Sequence, residues 1–335
     1  MVRVRFSRLS TTLLLALVSV SLADVDGDWT YSVADDVATI LSYSGAGGGV
    51  SVPIKFGDAV VRNFGNNQLP PVFGFDNITV TGVTIDTNVT SIGDHAFRGC
   101  TLLTNVAIPG SVTNIGNFAF RNCSQLPTVA IPNSVTAIGN DAFFNCVQLA
   151  SVAIPGSVTT IGNGAFGGCV GLTNFTIGAG VASIGESAFG GCEGLTSMTI
   201  PGSVTNIGDY AFSECLALAS IVFTGGLPSR QPASLGSSGT IYYLSEYASV
   251  WPPTFGGLPT ALFAPTVDYV AGTTAGGFRF QWIGSANVPM NVQRTTSLSG
   301  LSGGTWSNVA AGITNGDFTD PNPPAGAAFY RAVLP

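Results

Sequence analysis

The residues of this 335-residue chain that could do chemistry are six cysteines, one histidine and a scatter of carboxylates. The cysteines stand at 100, 123, 146, 169, 192 and 215, always 23 residues apart. Protein zinc sites draw on paired cysteines and on histidines. Here there is no Cys-x-x-Cys, and His95 is the only histidine, so no metal centre is expected. A small apolar residue that returns once per period reads instead as a column facing inward. Stacked strands lie about 4.8 Å apart, within the Cα range of a disulfide, so the spacing admits bridges, while the periodicity favours free buried thiols. His95 shares its column with Phe118, Asp141, Gly164, Ser187 and Tyr210, a variable set that reads as exposed. A Ser-His-acid triad would have to use it, and no Gly-x-Ser-x-Gly turn stands nearby. Asp94, Glu186 and Asp209 share a column with Asn117, Asn140 and Asn163, residue types suited to capping a helical turn. Two carboxylates at a set separation are also what sugar hydrolysis needs. Asp24, Asp26 and Asp28 look like the start of a calcium loop but lack its later oxygen ligands and its glutamate, so a frayed polar terminus is expected. No catalytic set and no cofactor emerges from these positions.

The cysteines are one letter of a longer unit, written six times between Val89 and Gly226. Ile-Gly pairs open each copy, from Ile92-Gly93 to Ile207-Gly208. Phenylalanine follows at 97, 120, 143, 166, 189 and 212, and leucine at 103, 126, 149, 172, 195 and 218. A register held over six copies without insertion predicts a solenoid whose turns stack on one another. Within Val135–Ser157, Val135–Ile138 reads as a short strand, and Gly139 permits a tight turn. Asn140 would cap one helical turn over Asp141–Cys146. Leu149, Val152 and Ile154 then point inward along a second strand, with Ala153 outward, and Pro155-Gly156 ends it. Stacking such units would put Phe on Phe and Ile on Ile, between two ribbons of parallel strands.

The unit Val-x-x-Ile-Gly-x-x-Ala-Phe-x-x-Cys-x-x-Leu-x-x-Val-x-Ile-Pro resembles the BspA-like leucine-rich repeat of exported bacterial surface proteins. The likeness is close over 83–226 and loose over 50–65, where Val50-Ser51-Val52-Pro53 and Val60–Gly65 echo parts of the unit. The stretch from Tyr242 to Phe263 is similar to the segment that ends such arrays in some members. The resemblance implies adhesion or protein recognition outside the cytoplasm and no catalytic residues. The expected fold is therefore mainly β: a leucine-rich repeat solenoid of 23-residue units with short helical turns, followed by a small antiparallel β module.

Five segments are expected along the chain. Residues 1–23 read as a signal peptide, with Arg3, Arg5 and Arg8 before an apolar run and Ser21-Leu22-Ala23 at the cleavage site. Residues 24–82 would form an N-terminal cap with a degenerate first repeat, opened by a hairpin of Trp29–Val33 and Val37–Leu41. The solenoid covers 83–226 and its C-terminal cap 227–265. Residues 266–335 alternate as a small sandwich-like β domain, with strands around Phe278–Trp282, Met290–Thr295 and Phe329–Val333, and a boundary falls near Pro265–Gly277.

Charge narrows the partner. A net charge of −7 and a single lysine, Lys55, disfavour nucleic acid and anionic membranes. No second stretch could span a membrane, so none is expected in the mature chain. The strand between Leu and Pro in each unit should line the long regular face where solenoids bind. Its outward residues are Asn105 and Ala107, Thr128 and Ala130, Ser151 and Ala153, Asn174 and Thr176, Ser197 and Thr199, Ser220 and Val222, all short and none charged. That face suits an extracellular protein or a neutral glycan, and equally a flat scaffold surface. The leading expectation is a secreted or cell-surface, non-enzymatic recognition protein. The alternative is a carbohydrate-active enzyme that uses acidic residues of the irregular segments.

Overall fold

The computed structural model describes residues 24–65, 79–230 and 232–263 in full and, as backbone, the strands between 266 and 333. The signal-like residues 1–23 and the stretch 66–78 lie outside the described residues.

The chain opens on Trp29–Ala34 and Val37–Tyr43, an antiparallel hairpin. Its turn residues Asp35 and Asp36 are both left-handed, as a two-residue turn matched to strand twist requires. Asp24–Asp26 is not frayed: it pairs antiparallel with Trp29–Tyr31 as an edge strand, where its carboxylates stay in water. From Val37–Tyr43 the stack begins in parallel through Ala59–Phe64. It then passes through Ser91–Ile92, Asn114–Ile115, Ala137–Ile138, Thr160–Ile161, Ser183–Ile184 and Asn206–Ile207, each strand advancing by one unit. The degenerate first turn is in register, since Phe64 pairs with Ile92 and Val50 with Val83.

The second ribbon is broken where the first is continuous. Asn105–Ala107 closes a three-stranded piece, Ser151–Ala153 pairs with Asn174–Thr176, and Ser197–Ile200 joins a five-stranded piece. The repeat at the first break carries Pro127, where Thr104, Ala150 and Thr173 each donate a main-chain N–H to the rung before. Proline has no such donor, and only the isolated bridge Thr128 to Ser151 remains there.

Between the ribbons lies one hydrophobic column after another. Phe97, Phe120, Phe143, Phe166, Phe189 and Phe212 are buried and stack face to face, with centroids 4.8 to 5.8 Å apart. Each of the Ile, Leu and Cys columns is buried in the same cluster. Glycine after Ile is a packing requirement: a Cβ on Gly162 would sit 2.5 Å from the carbonyl carbon of Gly139. The last rung is followed in parallel by Thr240–Tyr243 and Leu258–Leu262, with Thr254–Phe255 folded back antiparallel. Trp251 is nearly buried there, stacked on Tyr243 at 5.6 Å and tilted against Phe223 at 4.8 Å.

Beyond the stack, Gly277–Ile283 pairs antiparallel with Thr266–Asp268, Thr273–Thr274 and Asp317–Asp320. Met290–Thr295 lies between Ser307–Ile313 and Phe329–Val333. The stretch read as a boundary, 265–277, thus holds two short strands of this antiparallel module.

Candidate functional site

The segment that joins the two ribbons in each unit is a run of turns and contains no helix; among the described residues the only helix is the single 3-10 turn Ser245–Tyr247. Two residues per unit are left-handed. The first column is His95, Phe118, Asp141, Gly164, Ser187 and Tyr210, with φ of 51 to 61°. The second is Gly99, Asn122, Asn145, Gly168, Gly191 and Glu214. A left-handed residue ends a right-handed turn and swings its N–H along the stack. His95, Phe118 and Asp141 accordingly donate to the main-chain oxygens of Asn117, Asn140 and Asn163, one rung on, at 2.7 to 2.9 Å. The expected helical turn fails because alternate N–H groups, those of Asp141, Phe143 and Asn145, donate to the next rung, while Ala142, Phe144 and Cys146 keep only three-residue turn bonds within their own.

The Asp/Asn column has a different job from the expected capping of its own turn. Asp94 Oδ1 accepts the main-chain N–H of Asn117, Asn117 that of Asn140, Asn140 that of Asn163, and Asn163 that of Glu186, at 2.7 to 2.9 Å. Each side chain serves the next rung. At the end of the line Asp209 accepts from the N–H of Ala233 at 2.7 Å and pairs with Arg230 at 2.9 Å. The Glu186 carboxylate is exposed and has no ion-pair partner among the described residues.

His95 is half-buried rather than exposed, because its ring stacks on Phe118 at 4.7 Å and 5°. Burial, then the Arg98 guanidinium, hold its imidazole below the ordinary histidine value, against an opposing pull from Asp94. Arg121 lies 4.3 Å over the ring of Phe144 and 2.6 Å from Asp141. Burial pushes the Asp141 carboxyl up, against the pull of that arginine. This ridge therefore carries Arg and aromatic side chains in its first three rungs and glycine at 164, 167 and 190 in the next two. Sequence reasoning missed it by treating the variable columns as bland surface; the signal was the change from Arg98, Arg121 and Phe144 to Gly167 and Gly190 in one column. The side chains of Asn140, Asn163 and Glu186 are bordered on both sides by open cavities of about 290 Å³ each. One runs over Thr160, Ser183 and Asn206 toward Arg230, and the other lies against Phe144.

On the other ribbon, Asn105, Ala107, Thr128, Ala130, Ser151, Ala153, Asn174 and Thr176 are exposed in line. Ser197 and Thr199 are half-buried. Ser220 and Val222 are buried, so the regular face ends before them. They stand in the interior of the five-stranded piece, between Ser197–Ile200 and Thr240–Tyr243, and the Ser220 hydroxyl has no hydrogen-bond partner.

The cysteines face the core as expected and are free. Each thiol from Cys123 to Cys215 donates to the main-chain oxygen of a phenylalanine in the preceding rung, at 3.0 to 3.2 Å. Burial pushes the thiols of Cys100 and Cys169 up to about 12. Among the described residues no group of three or more His, Cys, Asp or Glu is placed to hold a metal, and no helix is long and apolar enough to cross a membrane.

The geometry has counterparts among known proteins. A leucine-rich repeat protein of T. pallidum is 28% identical, with a TM-score of 0.51, over 57% of this chain and 88% of that one. A leucine-rich cell surface protein of Faecalibacterium prausnitzii is 26% identical, with a TM-score of 0.51, over 67% and 70%. A leucine-rich repeat protein of Bacteroides ovatus shares the fold at 22% identity and a TM-score of 0.55, over 71% and 67%. No curated protein matches the chain. The model of the BspA-type leucine-rich repeat region matches in six copies over residues 71–192 and 159–241, about half of the sequence, and the chain belongs to that family.

Proposed function

We propose that this chain is exported and acts at the cell exterior as a non-enzymatic recognition protein, taking an extracellular protein or a neutral glycan on the face formed by Asn105, Thr128, Ser151, Asn174 and Thr176, with Ser197 and Thr199 at its margin. One observation carries the reading: that face is exposed, regular and free of charge over four successive rungs. Short neutral side chains let a partner backbone or a sugar come close without desolvating a charge. The basic and apolar start of the sequence and the surface location printed for the Faecalibacterium relative support export. Ser220, being buried, is left out of the face.

The test pairs location with contact. Labelling of intact cells should reach the protein. Ser151→Arg with Thr176→Arg, which adds two bulky charges to the exposed strand positions, should abolish adhesion of the purified chain to its target surface while leaving its melting temperature unchanged. Adhesion that survives the double variant would remove the face from the mechanism.

A further inference from the structure

The first break in the strand ribbon has its proline, but the second, between Asn174–Thr176 and Ser197–Ile200, has none. Thr173 and Ala219 each donate a main-chain N–H to the unit before, at 3.0 and 2.9 Å. Thr196 stands at the same place between them and has the N–H, yet among the described residues it makes no such bond to Thr173. Ile154 likewise donates forward to the main-chain oxygen of Thr176 at 2.9 Å, and its counterpart Ile177 makes no bond to Thr199. A missing donor does not explain this gap.

The core beneath it does. The column under the strand reads Val106, Val129, Val152, Phe175, Met198 and Ile221, so the fourth unit alone carries a ring there. Phe175 is buried and stands edge-on between Phe166 of its own unit, at 4.9 Å and 71°, and Phe189 of the next, at 4.7 Å and 78°. Phe166 and Phe189 lie 5.8 Å apart, the widest step of the phenylalanine stack, against 5.2 and 5.3 Å on either side. In a close-packed interior the extra ring volume has to push something aside. At the Pro127 break, by contrast, the stack stays closed, with Phe97 and Phe120 4.8 Å apart. Around Phe175 the other ties between the two units hold. Thr160–Ile161 remains paired with Ser183–Ile184, and the Phe166 N–H donates to the oxygen of Ala188 at 2.8 Å. Gly194 and Thr205 close the two ends of the gap on the oxygens of Val170 and Ala182, at 3.1 and 3.0 Å.

We infer that Phe175 is a wedge that makes the junction of the fourth and fifth units the soft point of the stack, where the strand ribbon opens locally while the turns stay shut. Parting two paired strands breaks main-chain bonds, and across this gap there are none to break, so local opening is easiest here. Solenoid stability resides in neighbour interfaces, so loosening one of them leaves the rest of the array intact. The exposed strand positions up to Thr176 thus form one firm facet, and Ser197 and Thr199 belong to a second that can shift against it. The inference concerns the stack itself and does not depend on what the strand face binds.

Amide hydrogen exchange of the full chain, read residue by residue, tests it. In the wild type Thr196 should be at least tenfold less protected than its counterparts Thr173 and Ala219. Phe175→Val, which returns the column to the residue of the three units before, should let the strands close and raise the protection of Thr196 at least tenfold. Phe175→Met, a flexible side chain already present in the column at Met198, fills the space that valine leaves and should act in the same direction. The Thr128 amide, beside Pro127, should keep its wild-type rate in both variants, which marks the effect as local. Equal protection of Thr196 and Thr173 in the wild type would overturn the inference. So would a Thr196 that still exchanges at the wild-type rate in both folded variants.

Discussion

The main-chain N–H of Asn163 donates to Oδ1 of Asn140, its counterpart one rung earlier, at 2.8 Å. The same bond links the neighbouring members of the column, so each turn is held by a side chain it does not own. Asn140→Ala should leave the Asn163 N–H without its acceptor and cost about 1 kcal/mol. Asn140→Asp keeps an acceptor at that place and should cost less. Urea denaturation of both variants decides the matter, and equal losses would show that the acceptor is not what the column supplies.

Phe143 is stacked between Phe120 at 5.0 Å and Phe166 at 5.2 Å, both nearly parallel to it. Phe143→Ala removes the ring's transfer energy and opens a cavity between rungs, at a cost of about 3–5 kcal/mol. In a stack stabilised by neighbour interfaces the defect weakens two of them. Leu216, although apolar, is 69% exposed, and Leu216→Ala should cost less than about 0.5 kcal/mol. Thermal melts of the pair measure whether inward and outward columns are assigned correctly.

The stack was legible because its physics repeats. A core column needs the same residue in every rung, so Ile92, Phe97, Cys100 and Leu103 announced themselves by their spacing, and so did the register of the degenerate turn at Phe64. The turns were not legible. A left-handed main chain at His95, Phe118 and Tyr210 leaves no mark on residue type, because bonds to the next rung impose it against local preference. The second left-handed column did leave one, in Gly99, Asn122, Asn145, Gly168 and Gly191, since glycine and asparagine tolerate that conformation most readily. The end of the strand face was hidden for another reason. Ser220 has the same type as Ser151 and Ser197, and only the strands that follow it bury it. The packing of Phe144 over Gly167 required reading across rungs rather than along the chain.

The thiol column should be chemically silent in the folded protein. With Cys100 and Cys169 pushed up to about 12, these two hold almost no thiolate, the reactive form, at pH 8, and the packing that buries all six thiols keeps reagent from the rest of the column. Labelling of native protein at that pH should find fewer than one thiol per chain, and labelling in denaturant without reductant should find six. Recovery of four or fewer in denaturant would mean that adjacent rungs are bridged.

His95 gives the stack a weak dependence on pH whose sign follows from its surroundings. Its folded value lies below the ordinary 6.5, through burial and the adjacent Arg98, with Arg121 adding to the effect and Asp94 opposing it. The unfolded chain then binds the proton more readily, so stability falls as pH drops through about 6.5 and levels off below the folded value. His95→Phe keeps a ring for Phe118 to stack on, in a column where Phe118 itself is left-handed, and removes the titrating group. The melting temperature of the wild type relative to this variant should therefore decrease between pH 7.5 and 5.5. Carboxylates such as Asp141, raised by burial, contribute to both proteins and cancel in the difference. A difference that stays flat or rises on acidification would place His95 in water, away from Phe118 and Arg98.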